Sequence, residues 1–316
     1  MRPSSAQQQA APSRVRLVVV MPVGPGEDVA DTLDSIAAYA DPSHAVVLVD
    51  DTGDPGGPAA AAAAALREVH AVPAPAGAAG NRGGLWVKLA AGYRYACARL
   101  RFDLLLRMDT DALLLGPGLE DVAAARVAAD PGLGMLGGHR TGPDGRPRDF
   151  GPAARLLARE AGPLGLADRR RRATLRRLRA AARANGYAPG EHALGGAFIQ
   201  PARAVRALEA RGWLDLSELA SSGLSEDHLF GLMTVAAGFR IGDLGGPGGP
   251  MALRWRGLPA HPDDLVAGGA LITHSVRSWG DLDEAAVRGR FRVARRAGTP
   301  RGTARPEASG RDAALR

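Results

Sequence analysis

The segment from Phe102 to Gly116 reads FDLLLRMDTDALLLG. Leu104, Leu105, Leu106 and Met108 form an apolar run of the kind found in a strand buried on both faces. Two carboxylates, Asp109 and Asp111, interrupt it one residue apart. Residues i and i+2 of an extended chain point to the same side, so both acids are expected to aim into one space at the carboxyl end of a strand. Like charges so close repel unless a hard divalent cation sits between them and a ligand. Mg²⁺ or Mn²⁺ held by one or two carboxylates plus substrate phosphates is the usual arrangement. The plainer alternative is a pair of turn residues, since Asp is common where a strand gives way to a loop. The chain carries its own control in GDLDEA, where Asp281 and Asp283 repeat the pattern in a polar stretch suited to starting a helix.

Working outward, VRLVVVMPV predicts a buried strand ended by Pro22 and Gly24. EDVADTLDSIAAYA places Val29, Leu33, Ile36 and Ala37 on one helical face, with Glu27 and Asp28 in the first turn. HAVVLVDDTGD is a second strand, also ending in two acids, Asp50 and Asp51. An alanine-rich helix from Ala59 to Glu68 follows, and GNRGGLWVKLAAGYRYACARL is a helix leading into the opening segment. Beyond it, LGMLGGH, LGGAFIQP and GALITHSVRSW read as strands, while ARAVRALEARG and EDHLFGLMTVAAGF read as helices stopped at Gly212 and Gly238. The succession predicts an α/β fold with a largely parallel mixed central sheet flanked by helices. Asp50, Asp51, Asp109, Asp111 and His274 are then expected at strand ends facing one crevice.

With 316 residues, 46% of them hydrophobic, the chain can bury a sizeable core. Its net charge of +7 points only weakly to anionic partners, because Lys88 is the only lysine and the arginines accompany an Ala-, Gly- and Pro-rich composition. The stretch DRRRRATLRRLRAAARAN lacks interleaved aromatics for base stacking, so no nucleic acid is expected; it reads as a solvated helix face or a contact for an anionic acceptor or membrane. Cys97 stands alone, consistent with a reducing compartment. No apolar run approaches the roughly 18 residues of a membrane span, and the N-terminus lacks a signal-peptide core. A cytoplasmic protein without a transmembrane segment is expected. One domain over residues 14–297 is expected between disordered ends, 1–13 and 298–316.

In order, VVVMPV, VVLVDDTGD, LLLRMDTDALLLG, LGGAFIQ, LSEDHLFGLMTVAAGFRIG and LITHSVRSW resemble a GT-A glycosyltransferase of the family 2 type, over about Val15 to Trp279. The resemblance implies a donor nucleoside held by Pro22, Val23, Asp50 and Asp51, with Asp51 facing the base. It implies a divalent metal, Mn²⁺ or Mg²⁺, held by Asp111 and His274, with Asp109 acting through ribose, water or the same ion. Gly195 and Gly196 match glycines beside the donor sugar and acceptor, Asp227 matches the base of inverting members with Glu226 as its neighbour, and Lys88 and Arg277 are diphosphate contacts. The implied donor is a nucleotide-diphosphate sugar, with a UDP-sugar favoured; the acceptor is a small molecule or glycan. MPVGPGED departs from the family in lacking an asparagine after the proline, and DDTGD lacks the usual serine.

Simpler readings stand beside these. Asp50 and Asp51 also suit a turn, Glu226 and Asp227 a helix N-terminus, and His274 a hydrogen-bonded structural histidine. A retaining GT-A enzyme would use Glu226 and Asp227 for binding only. A catalytically silent GT-A domain acting as a partner subunit, or a basic nucleic-acid binder, would show no metal-dependent nucleotide affinity.

Overall fold

The stretch RVRLVVVMPV forms β1 (Arg14–Val23), whose β-branched side chains suit both faces of a pleated strand. Its alternation divides the core: Val18 and Val20 pack on one side, Leu17, Val19 and Met21 on the other. The chain continues through α1 (Ala30–Tyr39), β2 (His44–Asp50), α2 (Pro58–Ala65), β3 (Val69–Pro73) and α3 (Gly83–Arg99) into β4 (Arg101–Met108) and β5 (Ala112–Leu114). Next come α4 (Leu119–Ala129), β6 (Leu133–Gly137), α5 (Gly151–Ala161), α6 (Arg169–Ala184), β7 (Ala197–Pro201), α7 (Ala202–Ala210) and α8 (Glu226–Ala236). The last elements are β8 (Arg240–Asp243), β9 (Met251–Leu253), α9 (Pro262–Ala267), β10 (Ile272–His274), β11 (Ser278–Trp279), β12 (Leu282–Asp283) and α10 (Glu284–Gly298). This computed structural model describes residues 14–78, 80, 82–163 and 168–298. Apart from Gly298, which ends α10, the segments expected to be disordered lie outside the described residues.

Seven strands form one sheet in the order β3-β2-β1-β4-β7-β6-β8. β1 pairs in parallel with β2 and β4, β2 with β3 and β6 with β8; β7 runs antiparallel to both of its neighbours. The sheet is mixed and mostly parallel, as the sequence predicts, and fits a GT-A, Rossmann-like architecture. Trp86 and Tyr93 of α3, Leu178 of α6 and Phe230 of α8 cover one face; Leu33 and Ile36 of α1 and Ala123 of α4 cover the other. Helix α3 lies close on the sheet because Gly92 has no side chain: a Cβ there would stand 2.6 Å from Val20 Cγ1. Among the described residues no helix is long and apolar enough to cross a membrane.

Three details differ from the sequence expectation. The opening stretch is two strands in two sheets: β4 ends at Met108, Asp109–Asp111 turns, and β5 joins β10 and β9 in a separate three-stranded sheet. The Ala112 amide donates to the Asp109 carbonyl at 3.1 Å, so the two acids converge through a turn and not through strand alternation. GALITHSVRSW likewise divides into β10 and β11. Helix α1 starts at Ala30, leaving Glu27 and Asp28 outside its first turn; Gly26, at φ +76°, reverses the chain, and the Glu27 carboxylate accepts the Gly24 amide at 3.0 Å.

The C-terminal helix fastens the site from behind. Buried Asp31 of α1 pairs with Arg288 at 3.2 Å and Arg295 at 2.5 Å, both on α10. Arg288 Nη2 also donates to the carbonyl of Thr110, between the two acids, at 3.0 Å, and Thr32 Oγ1 donates to the same oxygen at 2.6 Å. Removing one member of a buried ion network leaves charge uncompensated, which typically costs ~3–5 kcal/mol. Asp31→Ala is therefore expected to lower the unfolding free energy in urea by about 3 kcal/mol; a loss below about 1 kcal/mol would mean that the network is solvated and carries little.

Candidate functional site

The carboxyl ends of β1, β2 and β4 and the segments before β7 and α8 surround a cavity of about 910 Å³. Pro22, Val23, Asp51, Lys88, Asp109, Asp111, Gly195, Gly196, Glu226, Asp227, His274 and Arg277 all line it. Asp50 does not: its Oδ1 accepts from the Thr52 amide at 2.9 Å and the Thr52 hydroxyl at 2.7 Å, so it shapes the turn after β2. Lys88, buried on α3, is ion-paired with Asp51, which places a cation on the β2 side of the cavity.

On the other wall, His274 Nε2 lies 3.2 Å from Asp111 Oδ1 and 3.5 Å from Asp109 Oδ2. The Arg254 carbonyl, 2.7 Å from His274 Nδ1, can only accept, so Nδ1 carries the proton. Nε2 thus faces the two acids. Asp111 Oδ2 is taken by the Ser275 hydroxyl and Arg277 Nε, both at 2.7 Å, which leaves Oδ1 toward the imidazole. Burial opposes the charge of Asp111, but His274, Ser275 and Arg277 hold its carboxyl well below the usual range. His274 moves the other way: burial disfavours its charge, yet Asp111 and Asp109 raise its affinity for a proton.

These three side chains place one ligand atom each within 4.8 Å of one another. Two carboxylate oxygens, and an imidazole nitrogen whose second nitrogen is fixed by a carbonyl, form a donor set that suits a divalent cation. A second grouping, His192, Asp227 and His228, does not fit one. His192 Nδ1 faces the Gly190 carbonyl at 2.7 Å, and Arg148 Nη2 stands 2.8 Å from His192 Nε2, occupying its lone pair with a cation's N–H.

Arg107 joins the metal-capable triad to Glu226 and Asp227. It projects from β4 with no solvent exposure, and its Nη2 lies 2.8 Å from both Asp109 Oδ1 and Glu226 Oε1. The contacts are ionic and poorly aligned as hydrogen bonds. Burial works against this charge, but Asp109 and Glu226 outweigh it and keep the guanidinium protonated. Glu226 is pushed up to about 7, chiefly by burial; Arg107 pulls the other way, and the negative charges of Asp227 and Asp109 add to the rise. Burial would also raise Asp227, but His192, His228 and the Gly195 amide bring its net shift downward. The amides of Gly195 and His228 donate to its two oxygens at 2.8 Å each.

The glycine pair has a steric reason. A Cβ on Gly195 would stand 3.0 Å from Glu226 Oε1 and 3.1 Å from Asp227 Oδ2. Gly196, at φ +94°, would put a Cβ 2.4 Å from the His274 ring. Sequence reading missed Arg107 and Glu27. The signal for Arg107 was a charge inside an apolar strand, two residues before the first acid. Glu27 read as a helix-dipole partner, yet it accepts from Thr110 Oγ1 at 2.8 Å and pairs with Arg277 at 3.6 Å.

No protein-family profile and no curated protein sequence matches the chain. Among solved structures it is similar to the crystal structure of S. aureus TarS, with a TM-score of 0.41 and 17% identity, covering 86% of this chain and 41% of that one. The chain therefore spans about two-fifths of the length of TarS.

Glu226 binds its proton more tightly folded than unfolded, so its contribution to stability falls as pH rises from its ordinary value of 4.5 through about 7. Arg107 matters most once that proton is gone. Arg107→Met is expected to cost ~3–5 kcal/mol at pH 8 and distinctly less at pH 5, read from urea midpoints. An equal cost at both values would show that the guanidinium does not balance Glu226.

Proposed function

We propose that the chain is a metal-dependent glycosyltransferase that moves a sugar from a nucleotide-diphosphate sugar to an acceptor hydroxyl with inversion at the anomeric carbon. The observation that carries this reading is the convergence of Asp109, Asp111 and His274 opposite Asp51 and Lys88, in one cavity at the carboxyl ends of a mostly parallel sheet. Asp111 and His274 would hold the ion, with Asp109 beside them; the imidazole nitrogen would favour Mn²⁺ over Mg²⁺, whose preference is for oxygen. When bound, a divalent cation neutralises charge on the departing diphosphate as a Lewis acid. Arg277, already on Asp111 and half-exposed, reaches the same phosphates, and Pro22, Val23 and Asp51 receive the nucleoside.

Of the two acids opening α8, Asp227 is the ionised one at neutral pH: its partners, the Gly195 amide among them, bring its net shift downward, whereas burial makes Glu226 retain part of its proton against the pull of Arg107. Asp227 takes the acceptor's hydroxyl proton as the acceptor oxygen bonds to the anomeric carbon and the bond to diphosphate breaks. General-base assistance of this kind contributes ~10²–10⁴-fold.

Asp111→Asn is expected to weaken Mn²⁺-dependent UDP binding by calorimetry, whereas Asp283→Asn, at the N-terminus of α10, leaves it unchanged. Equal affinity of Asp111→Asn and the parent would reduce the D-x-D to a turn. Asp227→Asn is expected to retain UDP and Mn²⁺ affinity while losing ~10²-fold or more in kcat. Turnover close to the parent's would return Asp227 to a role in helix capping, and a product with retained configuration would exclude direct displacement.

A further inference from the structure

Trp255 is 74% exposed, the most exposed large hydrophobic side chain among the described residues, and it stands on the rim of the cavity. A lone exposed aromatic is ordinary on a protein surface. What sets this one apart is that the chain on both sides of it is pinned. The Arg254 amide donates to the His274 carbonyl at 2.7 Å, and His274 Nδ1 donates back to the Arg254 carbonyl at 2.7 Å. Beyond it, Gly257 turns at φ +68° and buried Leu258 donates its amide to the Ser278 carbonyl at 2.9 Å. The Arg256 guanidinium lies 4.5 Å from the Trp255 ring centroid and covers one face of the indole, leaving the other for a ligand. A rigid aromatic on a fixed loop loses little conformational freedom when something stacks on it.

The strand that leads into the loop lies near the segment before β7. Gly138 brings together Leu194, which lines the cavity next to Gly195, and Leu253, which precedes the loop: a Cβ there would lie 3.7 Å from Leu194 and 3.9 Å from Leu253. Trp255, two residues beyond Leu253, lines the same cavity as Gly195 and Asp227, while Pro22, Val23 and Asp51 stand at the ends of β1 and β2, beyond β4. An exposed indole face in the cavity that holds the proposed base suits a ring that carries the attacking hydroxyl and also offers an apolar C–H face. A pyranose has both, and Arg256 and Ser278, also lining the cavity, supply polar partners for its other hydroxyls. We propose that Trp255 is the platform on which a saccharide ring of the acceptor stacks. The proposal rests on the glycosyltransferase reading and deepens it, making the acceptor a sugar or glycan and not an aglycone lacking such a ring.

The test titrates the full chain with a panel of methyl glycosides and disaccharides, followed by saturation-transfer difference NMR in the presence of saturating UDP and Mn²⁺. Binding of UDP is measured in parallel by calorimetry. The expected result is saturable contact with at least one saccharide, weakened roughly five- to tenfold by Trp255→Ala and largely restored by Trp255→Phe, at parental UDP affinity. If UDP binds with Mn²⁺ but no saccharide contacts the parent, or Trp255→Ala leaves the saccharide affinity unchanged, the platform is wrong and the transferase reading stands. A variant that loses UDP and keeps the saccharide would make the indole a nucleobase contact and overturn the proposal. Failure of the parent to bind UDP with Mn²⁺ would remove the transferase reading and the proposal with it.

Discussion

A guanidinium without solvent exposure, 2.8 Å from two carboxylates on different elements, sets the rest of the site. Arg107 is a costly residue to place inside a buried strand, because burying an unpaired charge costs several kcal/mol or more. Asp109 and Glu226 supply the compensation, and in doing so they fix where the turn after β4 and the start of α8 must lie. With Asp109 Oδ1 held by Arg107, its Oδ2 is the oxygen that faces His274. The acid that lines the ion site and the acid beside the proposed base thus share one counter-charge.

Around that strut the remaining constraints are steric and electrostatic. Gly195 and Gly196 leave room for the carboxylates of Glu226 and Asp227 and for the His274 ring, so the short segment before β7 brings the two halves of the site together. From behind, Arg288 and Thr32 hold the Thr110 carbonyl, and through Thr110 they hold the turn that carries both acids. Helix α10 lies more than a hundred residues beyond that turn, yet it helps to define its geometry. The arginine-rich helix α6 has a different part: Thr174, Leu175, Leu178 and Ala182 are buried, and Arg171 is tied to Ser221 and close to Glu160. It is an amphipathic helix docked beside α8.

Much of this was legible from residues. Apolar runs ending in acids located the strands, the βαβ order gave a mostly parallel sheet, and the positions of Asp109, Asp111 and His274 at run ends anticipated their meeting. Three things were not legible. Periodicity cannot distinguish one long strand from two strands in different sheets when the same leucines serve both, as with Leu104–Met108 and Leu113–Leu115. Asp50 and Asp51 are alike in sequence, and only the fold of the Thr52 turn decides that one faces the cavity and the other does not. Arg107 gained its meaning from partners at positions 109 and 226, the second across the sheet, which no local window contains.

The proposed transfer would require a divalent ion held by the carboxylate–imidazole cluster beside a nucleotide diphosphate. Diffraction from crystals grown with Mn²⁺ and UDP, recorded at the manganese absorption edge, tests it directly. An anomalous peak within coordination distance of Asp111 Oδ1 and His274 Nε2, contiguous with the diphosphate, is the predicted result. Fully occupied UDP with no anomalous peak there, or a peak among His192, Asp227 and His228 instead, would contradict it.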